Sequence, residues 1–319
     1  MIQSLYTLLY KIIDYAGMFP PANLELTEAF NNFKSYATGE HSWLLNRFII
    51  PVSQLKYFAE LYQQSEPKNT SLSYLLSKID NKREFFLTLE DELKTLQNFE
   101  RLFSSFSDTP SYFELNCPRE VVTENKQSLR DFVRDTTLAI ANTRKAAYNV
   151  FYELPVVEFE ETVFKYFVEY LATENLNGYP THLKLRAGGT VSEHFPSSDT
   201  LAKILITLKE FNVGFKATAG LHHPFRYFDS KIETKVHGFL NLFCAAILTY
   251  IYPLDREALF ILLEEANRDD FVFSENNINY KDWNVDTYSI EKARKEFAFS
   301  YGSCSFTEPV DDLKKLQML

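Results

Sequence analysis

Residues 181–226 have the sequence THLKLRAGGTVSEHFPSSDTLAKILITLKEFNVGFKATAGLHHPFR. Two similar segments lie in this stretch, LKLRAG at 183–188 and FKATAG at 215–220, and a predicted helix separates them. The spacing between their lysines, Lys184 and Lys216, is about that of one βα unit in a parallel sheet. The stretch therefore predicts two neighbouring parallel strands joined by a helix.

Each of these predicted strands carries charge on one face. Side chains alternate between the two faces of a strand, so Arg186 shares a face with Lys184, and Thr218 shares a face with Lys216. Cations on the inner face of a buried parallel strand are unfavourable unless they are paired or serve a site. We therefore expect a functional site where these two strands end.

Short apolar runs alternate with amphipathic segments on both sides of this stretch, as in a parallel sheet covered by helices on both faces. Helix-paired strands are predicted at residues 47–52, 83–89, 111–118, 148–155, 182–189, 214–220 and 297–306. After residue 226 the pattern predicts two helices and only a short strand, FVF at 271–273. We predict an α/β fold, a (β/α)8 TIM-barrel-like structure with an irregular seventh unit.

The whole chain, 1–319, is predicted to be a single domain with a helical N-terminal extension at 1–45 and a βα barrel at 46–319. Apolar residues at 3–14 have helical spacing, and a second helix is predicted at 28–37, after two prolines. Between them, Asp14 and its neighbours are either a lid over a site or a tight turn that ends the first helix, and the turn is the favoured interpretation.

Composition restricts the class of protein. The net charge of −10, with no Lys/Arg-rich face, argues against a nucleic-acid partner. The longest apolar run, 239–251, is too short to span a bilayer, and the first residues lack the basic start of a signal peptide. Three cysteines without CxxC spacing suit a reducing compartment. We expect a soluble cytoplasmic protein that binds a small anionic metabolite and no membrane, with homo-oligomerisation left open.

Charged and polar residues recur where the predicted strands end, which is where sites gather in barrels of this type. They are Glu114, Glu153, Lys184, Arg186, Gly188, Gly189, Thr190, Lys216, Thr218, Gly220, His222, His223, Ser303 and Ser305. Two interpretations are open: an ion-pair network that holds the barrel together, or a functional site. The functional site is favoured because buried ion pairs are a weak source of stability and titratable clusters concentrate at sites.

The first chemistry that these residues suit is covalent catalysis by a lysine. Lys216 is the preferred nucleophile, with Lys184 as the second cation that lowers its pKa, and the reverse assignment is open. Glu114 and Glu153 are the candidate proton carriers, with His223 as a further acid or base.

The remaining polar residues are candidate substrate contacts. Arg186 with Gly188, Gly189 and Thr190 suits a phosphate or carboxylate. Further contacts are expected from Thr218, Gly220, His222, Ser303 and Ser305.

Two alternatives use the same residues differently. In one, His222, His223 or His237 binds a divalent metal with Glu114 or Glu153, although their spacing matches none of the diagnostic metal motifs. In the other, the protein binds a metabolite without catalysing a reaction. The main expectation needs no cofactor.

Two resemblances accompany this reasoning. The lysine-bearing strand ends are similar to those of class I aldolase barrels such as deoxyribose-phosphate aldolase, which implies lyase chemistry through a lysine Schiff base. Over its length the chain also resembles an uncharacterised bacterial family through the phrases DYAGMFPPA (14–22), LKLRAGG (183–189) and FKATAGLHHP (215–224). The second resemblance supports the motifs as a set and implies no reaction.

Overall fold

The structure is a computed structural model that describes residues 2–65, 70–107, 109–144, 147–154 and 160–319. In these ranges the helices are α1 (Gln3–Leu9), α2 (Leu26–Thr38), α3 (Leu55–Ser65), α4 (Lys82–Leu102), α5 (Ser104–Ser107), α6 (Arg119–Glu124), α7 (Lys126–Ala141), α8 (Glu161–Leu176), α9 (Ser198–Glu210), α10 (Phe239–Ile251), α11 (Arg256–Glu264), α12 (Thr287–Glu296) and α13 (Thr307–Lys315). The strands are β1 (Ile13–Tyr15), β2 (Leu45–Pro51), β3 (Leu72–Leu75), β4 (Ser111–Asn116), β5 (Tyr148–Glu153), β6 (Thr181–Arg186), β7 (Phe215–Thr218), β8 (Tyr227–Asp229), β9 (Thr234–Val236), β10 (Phe271–Phe273), β11 (Asn277–Tyr280), β12 (Trp283–Asp286) and β13 (Ala298–Ser303).

Eight of these strands form a closed barrel in the order β1 to β7, then β13, which pairs back with β1. All neighbouring strands in it are parallel. In the register of β6 and β7, Lys184 lies opposite Lys216, and Arg186 lies opposite Thr218. The predicted TIM-barrel-like α/β fold is confirmed.

The N-terminal region contributes a strand to the barrel, so the prediction of a purely helical extension over 1–45 is wrong. β1 pairs with β13 on one side and with β2 on the other, and its three residues are all buried. The helix predicted at 3–14 ends at Leu9. A strand of three residues is too short to show the two-residue period by which strands are recognised, and Ile12 and Ile13 also fitted the helical spacing.

The strand predicted at 83–89 is also wrong, because these residues form the start of α4. Asn81 caps this helix by accepting a hydrogen bond from the backbone N–H of Glu84. Phe85, Leu89 and Leu93 then recur on its buried face at a spacing of four residues. The true barrel strand here is the four-residue β3, which the sequence pattern did not indicate.

The chain between β7 and β13 is irregular, as predicted, but it does not supply the missing strand of the barrel. It forms a two-stranded sheet of β8 and β9, the helices α10 and α11, and a three-stranded antiparallel sheet of β10, β11 and β12. FVF at 271–273 is β10, and it pairs with β11 outside the barrel. Residues 155–159, predicted as the end of one strand and the start of the next helix, lie outside the described residues.

The apolar run at 239–251 is the helix α10, which is buried along almost its whole length. Its side chains pack against the barrel and the neighbouring helices, as shown by the stacking of Phe239 on Tyr301. Within the described ranges, no helix is both long and apolar enough to cross a membrane.

Candidate active site

Six charged side chains from five barrel strands form a continuous line of ion pairs through the barrel. In order along the line they are Asp14, Lys216, Glu114, Lys184, Glu153 and Arg186. TIM-barrel interiors are usually filled by branched apolar side chains. Acids and bases alternate along this line, so each charge has an opposite charge beside it.

Lys216 lies at the deep end of this line, with a side chain that is 1% exposed. Its amino group donates to Asp14 Oδ2 at 2.7 Å and to Glu114 Oε1. The second acceptor is itself held by Ser73, whose hydroxyl donates to Glu114 Oε1 at 2.6 Å. Ser300 donates in the same way to Asp14 Oδ2 at 2.6 Å. In the deep part of the line, both acceptors of Lys216 are thus also held by a serine.

Lys184 lies between two glutamates. Its amino group is 3.3 Å from Glu114 Oε2 and 3.1 Å from Glu153 Oε2. The other oxygen of Glu153 accepts a hydrogen bond from Arg186 Nε at 2.6 Å. Arg186 is the outermost member of the line, with a side chain that is 34% exposed. Glu114 pairs with both lysines and so offsets the repulsion between their two positive charges.

This arrangement sets the charge states of the site. Burial would raise the pKa of Glu114, but Lys216 and Lys184 outweigh it and lower that pKa to about 2. Burial is likewise outweighed at Glu153, where Lys184 and Arg186 lower the pKa. Burial alone would lower the pKa of Lys184, but Glu153 and Glu114 raise it. From the sequence, we expected the nucleophilic lysine to have a pKa lowered by the other lysine. At Lys184 the two carboxylates together have the larger effect, and its pKa is raised.

A cavity of about 350 Å³ opens over this line at the carboxyl ends of the strands. We call it the carboxyl-end cavity. Its lining residues are Ala16, Phe19, Pro20, Pro21, Ile49, Leu75, Glu114, Asn116, Lys184, Arg186, Gly189, Thr190, His194, Thr218, Ala219, Gly220, His222, Gly302 and Cys304. Lys184 is thus at the cavity wall, and Lys216 lies beneath it.

Two glycine-containing turns meet at the rim of this cavity. A Cβ atom on Gly188 would lie 2.8 Å from the Cα of Gly220, and Gly220 has a φ of +73°. Both positions therefore require glycine. In the described part of the chain, the backbone N–H groups of Gly189, Thr190 and Gly220 have no hydrogen-bond partner. The cavity wall thus offers three free backbone donors beside Arg186.

Several predicted site residues lie outside this cavity. His223 hydrogen-bonds with Asp312 and packs edge-on against Tyr227. Ser303 donates to the carbonyl oxygen of Ser305, and the Ser305 hydroxyl accepts from a backbone N–H at the start of α13. These three side chains are engaged in local structure.

The histidines of the metal alternative are not brought together. His222 lines the cavity and hydrogen-bonds with Glu308 at 3.0 Å. His237 is buried elsewhere, with its ring nitrogens bonded to the Pro196 carbonyl and to Arg226. Burial lowers the pKa of His237 to about 4, so its ring is neutral. Among the described residues, no group of three or more His, Cys, Asp or Glu side chains is placed to hold a metal ion.

From the sequence, Asp14 was considered only as part of a lid over a site, with a turn favoured instead, and Ser73 and Ser300, which donate to the line, were missed. Asp14 lies between Ile13 and Tyr15, and all three are buried. An acid inside a buried apolar segment is the one local signal that could have placed it in the site. Ser73 and Ser300 carry no such signal, since serine is common in any environment.

The fold and the line of ion pairs define a TIM-barrel protein with a lysine-containing interior. One similar solved structure is that of a tetrameric deoxyribose phosphate aldolase from Aeropyrum pernix, with a TM-score of 0.51 and 10% sequence identity over 98% of this chain and 97% of that one. At this identity the likeness establishes the barrel fold alone. No family model matches the chain, and no curated protein matches it significantly.

Proposed function

We propose that this protein is an enzyme that forms an imine between Lys184 and a small anionic carbonyl compound, and that makes or breaks a carbon–carbon bond beside it. One observation carries the proposal: the Lys184 amino group lies at the wall of the carboxyl-end cavity, between Glu114 and Glu153 and next to Arg186. Lys216 was the preferred nucleophile from the sequence, but its amino group is enclosed by Asp14 and Glu114.

The first step requires an uncharged Lys184. Its pKa is raised, so the amine is mostly an ammonium group at neutral pH, and the reacting fraction is the one that has lost a proton to solvent. The amine then attacks the carbonyl carbon, and the resulting carbinolamine loses water to give the iminium ion. Glu153 passes a proton from the attacking nitrogen to the carbonyl oxygen, and solvent supplies the second proton with which that oxygen leaves as water.

The iminium ion then accepts electrons from the bond that breaks. A hydroxyl group on the second carbon from the iminium carbon loses its proton to Glu114 or Glu153. The bond between that second carbon and the first carbon then breaks: the second carbon leaves as the carbonyl group of the first product, and the electrons of the bond form an enamine. Protonation of the enamine and addition of water release the second product and restore Lys184. The reverse sequence makes the bond.

Lys216 acts on this chemistry through Glu114. Its charge keeps the Glu114 carboxylate ionised, and its hydrogen bond fixes one oxygen, so that the other oxygen faces Lys184. We assign Lys216 the role of a positioning residue, and His223 has no role in this proposal.

The substrate's anionic group binds at the rim of the cavity. The Nη atoms of Arg186 have no partner among the residues that the structure describes, so they can bind a phosphate or carboxylate, and Gly189, Thr190 and Gly220 line the same cavity. A volume of about 350 Å³ suits a small molecule such as a sugar phosphate or a keto acid.

A second candidate is a binding protein without catalysis. The observation that favours it is the ion pairing of each lysine with two carboxylates, which at Lys184 raises the pKa. Such a protein would hold the same anion at Arg186 and form no imine.

Borohydride trapping separates these functions. The protein is incubated with a panel of aldehydes, sugar phosphates and keto acids, reduced with borohydride, and mapped by peptide mass spectrometry. We expect a stable adduct on Lys184, lost completely in Lys184→Arg and retained, at a lower rate, in the matched variant Lys216→Arg. An adduct on Lys216 would reverse the assignment. Binding without an adduct on either lysine would support the binding protein instead.

We also propose that the protein is a cytoplasmic homo-oligomer. Its cysteines, Cys117, Cys244 and Cys304, are free and buried, as expected in a reducing compartment. The aldolase from Aeropyrum pernix is described as tetrameric. Light scattering coupled to size-exclusion chromatography tests the assembly, and a monomer at micromolar concentration would contradict it.

A further inference from the structure

A second and larger cavity lies at the opposite end of the barrel, where the strands begin. Its volume is about 680 Å³, and we call it the amino-end cavity. The first residues of β2, β4, β5 and β13 line it, together with side chains of α1 and α12. Phe151 lies between it and Lys216, whose amino group is 5.8 Å from the ring centre. The two cavities are therefore separated by the packed middle of the barrel.

Two arginines in the wall of this cavity have incomplete hydrogen bonding. Arg294 is 9% exposed and donates to the carbonyl oxygens of Ala298 and Tyr10, but its Nε has no partner among the described residues. The Nε of Arg47 is likewise buried and without a partner in the described chain. Buried N–H donors without partners are unfavourable, so the described residues do not fully satisfy these two guanidinium groups.

The acids around these two arginines do not neutralise their positive charge. Arg47 reaches Asp14 Oδ1 only at 3.4 Å, and Asp14 is already paired with Lys216. In the described ranges no carboxylate lies within ion-pair distance of Arg294. Burial lowers the pKa of Arg294 to about 9; the charge of Asp14 opposes this shift, and the charge of Arg47 adds to it.

The mouth of the cavity adds further positive charge. Lys11 and Lys295 line it, and Glu291 is the one acid among its described lining residues. Glu291 pairs with Lys295 at 2.5 Å, so it does not neutralise the arginines inside. A protein with a net charge of −10 therefore holds a local concentration of positive charge here.

Aromatic rings form much of the remaining wall. They belong to Tyr6, Tyr10, Tyr112, Phe151 and Phe299. The guanidinium group of Arg47 stacks on Tyr112, 3.3 Å from the ring centre. A surface of this kind suits a flat apolar group beside an anionic one.

We propose that the amino-end cavity is a second binding site, which takes a small organic anion with a flat, ring-like body. The phosphate or carboxylate group of this ligand accepts hydrogen bonds from Arg47 and Arg294, and the body lies among the tyrosine and phenylalanine rings. The site does not depend on chemistry at Lys184. It differs from the carboxyl-end cavity in having cations that no carboxylate fully neutralises.

Phenyl phosphate is the probe that tests this site, with inorganic phosphate for the anion alone and benzyl alcohol for the ring alone. Titration calorimetry on the full chain uses the Arg186→Gln variant, which weakens anion binding at the other cavity. We expect this variant to bind one phenyl phosphate, more tightly than inorganic phosphate, and to bind no benzyl alcohol. Adding Arg47→Gln should weaken that binding at least about tenfold. Unchanged binding after this second substitution would overturn the proposal.

A pair of surface variants guards against loss of folding. Lys295→Glu and Lys292→Glu change the net charge equally and are both exposed on α12, but Lys295 lines the cavity. In the Arg186→Gln background, Lys295→Glu should weaken phenyl phosphate binding about threefold or more, and Lys292→Glu should not. Equal effects of the two substitutions would show that only the overall charge matters, and would also overturn the proposal.

Discussion

The two ends of this barrel hold their buried charges differently. At the carboxyl end, Lys184 and Arg186 are each in contact with a carboxylate, and an acid and a base are always neighbours. At the amino end, Arg47 pairs at 3.4 Å with Asp14, which Lys216 also holds. Arg294 has no ion-paired acid among the described residues, and aromatic rings form much of the wall. Neighbouring acids and bases can exchange protons, whereas isolated cations can only bind an anion.

Because of this difference we assign proton transfer to the carboxyl end of the barrel and anion binding without catalysis to the amino end. The six-residue line begins with Asp14, whose Oδ1 accepts from Asn46 and faces Arg47, while its Oδ2 accepts from Lys216. Asp14 is therefore in direct polar contact with both systems. The predictions below test whether the carboxyl end is as tightly paired as its geometry indicates, and whether the two ends behave differently.

The largest effect is expected from Glu114→Gln, which removes the carboxylate shared by the two buried lysines. Breaking a buried pair from one side leaves an uncompensated charge, so the free energy of unfolding should fall by about 3–5 kcal/mol. Urea unfolding followed by circular dichroism measures it. The matched control is Glu90→Gln, whose pair with Lys94 is exposed and screened by solvent, so the free energy of unfolding should hardly change. If Glu114→Gln lowered the free energy of unfolding as little as Glu90→Gln does, the ion pairs of the line would not be tightly coupled.

The next effect is the loss of stability in acid. The folded-state pKa of Glu114 is lowered to about 2 from 4.5, so its stabilising contribution is present above pH 4.5 and is lost as the pH falls towards 2. The lowered pKa of Glu153 acts in the same direction. The difference at Glu114 corresponds to about 3 kcal/mol. Urea unfolding at pH 5, 4 and 3 should show the decline, and Glu114→Gln should flatten it.

A third effect concerns the rate of imine formation. The raised pKa of Lys184 keeps its uncharged form rare at neutral pH. As long as the pH is below this pKa, the uncharged fraction increases about tenfold when the pH rises by one unit. The initial rate of borohydride-trapped adduct should therefore rise about tenfold per unit between pH 7 and 9. The two glutamates stay ionised throughout this range because their pKa values are lowered. A rate independent of pH here would mean that Lys184 is already uncharged.

The parts of this site that the sequence predicted are those on long, regular βα units. Glu114, Glu153, Lys184 and Lys216 lie near the ends of β4 to β7, which have clear apolar runs and are separated by amphipathic helices. In parallel strands those ends meet at one edge, so sequence spacing alone brings the residues together. The likeness of LKLRAG to FKATAG reflects the direct pairing of β6 with β7.

The parts that the sequence did not predict depend on short strands and distant contacts. β1 has three residues, and β3 has four and lacks the repeated motif by which the equally short β7 was predicted. In contrast, Phe85 and Phe86 belong to strand-forming residue types, but the cap at Asn81 and the buried contacts of Phe85 made their segment a helix. The acceptor of Lys216, Asp14, lies 202 residues away along the chain, and only the closure of the barrel brings them together.

The smallest effect is a difference in salt dependence between the two ends. The side chain of Arg186 is 34% exposed and that of Arg47 only 12%. Dissolved ions screen exposed charges more than buried ones. Phenyl phosphate binding at the carboxyl end, measured in Arg47→Gln, should therefore weaken about fivefold between 50 and 500 mM salt, while binding at the amino end, measured in Arg186→Gln, should weaken about twofold. Equal slopes would mean that the amino-end cations are as accessible to solvent ions as Arg186, and the contrast between the two ends would then rest on their carboxylates alone.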